Sequence, residues 1–127
     1  MRDILIIGAG GFIGAVLRYL AVLSTQLLKA KTNIPMGTLL VNVFGCLLIG
    51  FLAVMAENSR LISVETRNFL IVGILGAFTT FSTFGYESVT LLKNGLNMHF
   101  ALNIGLQLVL GFLAVWGGMS LAKMIQS

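Results

Sequence analysis

Charge is what this chain lacks most. Of its 127 residues only 9% are Asp, Glu, Lys or Arg, and four of those are acids. A soluble domain carries about a quarter charged residues, so most helical faces here are not built to meet water. A single histidine (His99) and a single cysteine (Cys46) exclude the usual zinc spacings. Cys46 lies in an apolar run with no partner for an internal disulfide, and reads as a small buried hydrophobe. A nucleic-acid surface needs a basic stripe with interleaved aromatics on a soluble face. The positive residues instead sit near predicted helix ends, Arg18 apart, so nucleic acid is not an expected partner. No nucleophile–base pair is visible either, which argues against an enzyme.

What is present is apolar sequence. The chain is 57% hydrophobic with a mean hydropathy of +1.01. A hydrocarbon core about 30 Å thick takes roughly 20 residues of helix per crossing. The length therefore allows at most four crossings with short connections, and leaves nothing for a soluble domain. The expected architecture is one all-α integral membrane domain over residues 1–127. The spans are read at about Ile4–Leu28, Met36–Ala56, Asn68–Leu92 and His99–Met124. The first outlasts a signal-peptide core and leads into further spans, so it reads as a retained helix. The connection after it holds the one proline, Pro35, and an Asn-Gly turn signal at Asn94-Gly95 precedes the last span.

Four spans put both termini on one side, with Arg2, Arg60, Arg67 and Lys123. Lys29, Lys31 and Lys93 fall on the other. Orientation normally follows the side richer in Lys and Arg. This near balance fits either one weakly signalled orientation or insertion both ways with antiparallel self-pairing. A unit this small does not easily enclose a pore. The fifteen glycines, with Gly10 and Gly14 at GxxxG spacing, suit close helix contact, and both points favour a dimer. A dinucleotide-binding reading of Gly8–Gly14 fails on spacing, because Ile13 stands where the third glycine should be.

Polar residues inside the spans mark candidate function. Arg18 either snorkels to the headgroups or draws anions to a vestibule. Thr38 and Asn42, four residues apart on one face, form an interhelical clasp or offer uncharged donors to an anion, and spacing alone favours the clasp. The third span holds GAFTTFSTF, Gly76–Phe84, where hydroxyls and a glycine-weakened backbone interrupt an apolar helix. Non-helical backbone at membrane depth survives only when buried in protein or lining a watery path. If the helix is continuous, Thr79, Thr83 and Glu87 make one polar stripe. Phe81 and Phe84 lie on a neighbouring face, as core packing or as ring edges lining a polar route. Glu87 is an interfacial acid, a hydroxyl partner or a proton-coupling group. Asn103 and Gln107, with Gly111, form an opposite wall or a packing seam.

GTLLVN (Gly37–Asn42), the membrane Arg18, and GAFTTFSTF followed by Glu87 resemble the Fluc/CrcB fluoride channels over essentially the whole chain. The resemblance implies an antiparallel, dual-topology homodimer in the cell inner (plasma) membrane, carrying fluoride passively and electrogenically through two pores. It implies a third helix broken at mid-membrane. Carbonyls at Gly76 and Thr79 would hold a structural sodium ion at the dimer centre. It further implies that Phe81 and Phe84 line the pathway by their ring edges and that Asn42 hydrogen-bonds fluoride. Ser82, Thr83, Thr38 and Glu87 follow the polar track, and Arg18 stands at the vestibule. The competing expectation is a small dual-topology, proton-coupled cation exporter with Glu87 as its coupling acid.

Overall fold

The computed structural model describes residues 1–27, 32–57 and 62–126, and those residues form an all-helical bundle. Helix α1 spans Arg2–Leu27 and α2 spans Met36–Glu57. The third path is composite: α3 (Val64–Arg67), a π-helical segment (Asn68–Leu75), α4 (Gly76–Phe78) and α5 (Phe81–Lys93). Helix α6 runs Asn97–Gln126. Four stretches, Arg2–Gln26, Met36–Glu57, Val64–Lys93 and Asn97–Gln126, are long and apolar enough to cross a membrane. They match the four expected spans to within a few residues at each end. Lys29, Lys31 and Arg60, on which the charge balance partly rests, lie outside the described residues.

Local sequence accounts for the helix boundaries. Ser63 caps α3, its hydroxyl accepting the Thr66 N–H at 3.2 Å. At the far end of α5, Gly95 adopts φ 74°, a left-handed conformation that glycine enters without steric penalty. Gly95 N–H then bonds Leu92 O and Leu96 N–H bonds Leu91 O, both at 3.0 Å. That pairing is a Schellman stop, and it turns the Asn-Gly signal of the sequence into a tight return to α6.

Close backbone approach holds the bundle. Helix α2 packs along α6, and α1 packs along the π-helical segment and α4. A Cβ on Gly14 would overlap the Ile74 carbonyl oxygen, and one on Gly10 would overlap the Phe69 carbonyl oxygen. The GxxxG face of α1 is thus filled by this chain's own third path rather than left for a second chain. On α5 the buried positions are Phe84, Ser88 and Leu91, one stripe turned towards α6. Elsewhere the surface is largely apolar, with Phe12, Phe112 and Trp116 more than two-thirds exposed, as lipid-facing helices require.

Candidate functional site

The third path changes character at two threonines. Helix α4 ends at Phe78, Thr79 is extended (φ −81°, ψ 156°), Thr80 is extended (φ −151°, ψ 114°), and α5 starts at Phe81. Thr79 still closes the preceding turn, its N–H and hydroxyl both donating to Leu75 O at 3.1 and 3.0 Å. Thr80 opens the next: its hydroxyl oxygen accepts the Thr83 N–H at 3.1 Å as an N-cap. The extended backbone between them is sealed from α2. Thr80 N–H donates to Asn42 Oδ1 at 2.8 Å, and Asn42 Nδ2 donates to Thr80 O at 3.0 Å.

These bonds redirect two helix donors. In an unbroken helix Thr80 N–H would serve Gly76 O and Thr83 N–H would serve Thr79 O. Here Asn42 takes the first donor and the Thr80 hydroxyl takes the second. The carbonyls of Gly76 and Thr79 are therefore released from the helical ladder, and Gly76 lies exposed on the surface. Among the described residues no group of three or more His, Cys, Asp or Glu side chains converges.

Asn42, Thr79, Thr80, Phe81, Phe84 and Gln107 line one cavity of about 320 Å³. Phe84 is buried at 9% exposure while Phe81 stands 81% exposed. Their rings lie edge to face, centroids 5.6 Å apart at 64°, so a ring edge carrying partial positive charge is available. Asn42 spends its second N–H on Gln107 Oε1 at 3.2 Å. Gln107 Nε2 is buried and without a hydrogen-bond partner. Asn42 is therefore an interhelical clasp in this state, and it would have to release a protein acceptor to donate to an ion.

A second cavity of about 320 Å³ gathers Arg18, Thr38, Thr80, Thr83 and Glu87. Thr38, buried at 2% exposure, donates its hydroxyl to Glu87 Oε1 at 2.8 Å. Glu87 Oε2 is buried with no partner, and Arg18 is half-buried. Glu87 and Thr38 also edge a third cavity, of about 240 Å³, reaching Thr25, Gln26 and Pro35. The single stripe expected of a continuous helix is divided. Because the backbone is extended at Thr79 and Thr80, Thr79 falls with the phenylalanines while Thr83 and Glu87 stay together on α5. Thr80 joins the two sides: its hydroxyl donates to Thr83 Oγ1 at 3.0 Å and lies 3.2 Å from Ser82 Oγ. Ser82 and Thr83 are both exposed.

Thr80 is the residue that sequence reasoning passed over, although it borders both cavities. A threonine just before an apolar helical turn is an N-cap signal, and the neighbouring hydroxyls masked it. The seam of α6 also resolves: Gln107 meets Asn42, and Asn103 meets Ser88.

Comparison with known proteins gives the family. Residues 5–119 match the family model described as "CrcB-like protein, Camphor Resistance (CrcB)". The chain is 46% identical over 118 residues to the fluoride-specific ion channel FluC 1 of Methanosarcina acetivorans, covering 93% of this chain and 88% of that one. It is 45% identical over 125 residues to the fluoride-specific ion channel FluC of Campylobacter jejuni, covering 97% and 99%. A third relative, the FluC of Chlorobium luteolum, is 41% identical over 121 residues, covering 95% and 92%. By near full-length matches of this kind, the four-span chain belongs to the CrcB family.

Proposed function

We propose that this chain is a fluoride channel, conducting fluoride passively and electrogenically out of the cell as an antiparallel, dual-topology homodimer in the inner (plasma) membrane. One observation carries the reading: the Thr79–Thr80 interruption sets the Phe81–Phe84 turn beside Asn42 and Gln107 in a cavity between the third span, α2 and α6. The names of its relatives supply the ion, and they support a channel rather than an enzyme.

The chemistry suits a small, strongly hydrated anion. A bare apolar pore would exclude fluoride because desolvation is costly without compensating hydrogen bonds. The Thr83 hydroxyl and the ring edges of Phe81 and Phe84 supply neutral donors, and Ser82, Thr38 and the Asn42 amide join them once they release their protein acceptors. Weak contacts at several sites allow entry without trapping. Arg18 lends positive potential to the cavity that opens beside them. Since Arg18 shares that cavity with Glu87, a cation exporter using Glu87 is the weaker reading.

In this reading the helix break lies at mid-membrane and at the dimer centre. Exposed Gly76 and Phe81 suit a face that a second copy covers. The released carbonyls of Gly76 and Thr79 fit a sodium ion, because a hard cation is held by neutral oxygens. When bound, sodium would supply a positive charge tying the two interrupted helices together. Asn42 keeps the site ready by holding the Thr80 N–H away from Gly76 O.

Purified protein in liposomes should discharge a fluoride gradient when a potassium ionophore balances charge, and pass little chloride. Folded dimers that leave the gradient intact would sink the reading.

A further inference from the structure

The rings of Phe81 and Phe84 sit in the first turn of α5, and that turn is held at both ends. Thr80, at its start, is clasped by Asn42. At its other end the Ser88 hydroxyl donates to Phe84 O at 2.7 Å. Ser88 in turn accepts from Asn103 Nδ2 of α6 at 3.0 Å. Asn103 is 0% exposed, Ser88 is 4% exposed, and both are missing from the cavities lined by the candidate pathway residues. Neither can touch an ion there.

Packing alone does not account for this polar pair. Asn103 brings a second polar atom into the interior, its Oδ1, which has no partner. An unpaired buried acceptor is destabilising, whereas an apolar pair of similar shape in its place can be neutral or stabilising. The stripe of α5 facing α6 is otherwise apolar, with Phe84 above Ser88 and Leu91 below. A hydroxyl bonding back four residues also bends its helix slightly. Fixed from α6, that hydroxyl sets the pitch and rotation of the Phe84 turn.

We propose that Asn103, acting through Ser88, is a positioning residue for Phe84. It fixes the Phe84 ring against Phe81 without contacting the permeating ion. The inference rests on the fluoride-channel reading for its functional consequence, and on geometry alone for its structural one.

The test reads both. Fluorine NMR of 4-fluorophenylalanine placed at Phe84, and separately at Phe78 as a control, reports each ring environment. Asn103→Leu and Ser88→Ala should shift or split the Phe84 signal and leave the Phe78 signal in place. Ser88→Thr keeps a hydroxyl and should retain the original Phe84 signal. In liposomes the first two variants should lose at least tenfold in fluoride flux, and Ser88→Thr should stay within threefold of the unmodified chain. A Phe84 signal unmoved by both Asn103→Leu and Ser88→Ala, or Phe84 and Phe78 signals displaced together, would overturn the proposal. So would a moved signal with unchanged flux in a conducting protein. If the unmodified chain passes no fluoride while the Phe84 signal still responds, the channel reading fails and the positioning role stands.

Discussion

The side-chain amide of Asn42 and the backbone of Thr80 exchange two hydrogen bonds, at 2.8 and 3.0 Å. The pairing resembles one rung of a sheet ladder, supplied by a side chain. It satisfies the N–H and C=O of Thr80, which would otherwise be bare inside a membrane helix, and leaves the Thr79 carbonyl free. It also decides which carbonyls stay free, because the Thr80 N–H it captures is the natural partner of Gly76 O. Asn42 thus supports the whole interruption as well as facing the cavity.

Replacing Asn42 with leucine should therefore damage stability and transport together. Thr80 C=O loses its donor, which as an unsatisfied buried group costs about 1–3 kcal/mol, and Thr80 N–H must turn to another acceptor. Asn42→Asp keeps an acceptor for the N–H but no donor for the carbonyl, and should fall between. Thermal unfolding in detergent should order the three proteins as native, Asp, Leu, with liposome fluoride flux following the same order. A leucine variant as stable as the native chain would show that the clasp is dispensable.

Two glycines one turn apart in sequence separate packing from composition. Gly14 has no room for a Cβ because of the Ile74 carbonyl, whereas a methyl group added at Gly11 would meet nothing within 4 Å. Gly14→Ala should destabilise by about 1–3 kcal/mol through overpacking. Gly11→Ala should be neutral or stabilising by up to about 1 kcal/mol, since alanine is the better helix former. Equal unfolding midpoints for the two variants would contradict the close approach of α1 to the third path.

The same glycines show what sequence could and could not convey. Hydropathy located the four spans, because each must satisfy a fixed membrane thickness, and Asn94-Gly95 marked its turn by backbone chemistry. GxxxG spacing announced a close contact but carried no information on the partner, which proved to be the π-helical segment of the same chain. That segment itself, Asn68–Leu75, is a plain apolar run; its unusual winding has no residue signature and emerges where backbone packs on backbone. GAFTTFSTF marked a polar interruption of an apolar run, but the residues alone left the helix continuous or broken, and only the family resemblance implied a break. It did not reveal that Thr80 would be the cap and Thr79 the end of the preceding turn, since hydroxyls at adjacent positions compete for that role. Nor did Asn42 and Gln107 announce that they would meet, because their pairing is set by the α2–α6 crossing rather than by local spacing.

Arg18 offers an electrostatic prediction. It shares a cavity with Thr83 and Glu87 and is half-buried, so in the fluoride-channel reading its charge acts on that cavity. Arg18→Gln should lower fluoride conductance severalfold at about 10 mM ionic strength, where the screening length is about 30 Å. At about 1 M salt the screening length is about 3 Å, and the difference should shrink to less than about twofold. Planar-bilayer currents at the two salt concentrations supply the comparison. A defect independent of salt would mean that Arg18 acts by packing its stem rather than by its charge.

If the proposed dimer holds sodium on the carbonyls of Gly76 and Thr79, the ion is expected to act as a stability ligand. A ligand that binds only the folded state at about 100 times its Kd stabilises by about 2.7 kcal/mol. The unfolding midpoint should therefore climb with sodium chloride and stay flat in choline chloride at equal ionic strength. Asn42→Leu makes the sharper test. Once Asn42 no longer holds it, the Thr80 N–H can return to Gly76 O, occupying an oxygen the cation needs. That variant should lose most of the sodium-dependent rise even after its lower baseline is subtracted. Identical midpoints in sodium and choline for the native chain would remove the cation from this site. The Asn42–Thr80 pairing would then serve the anion pathway alone.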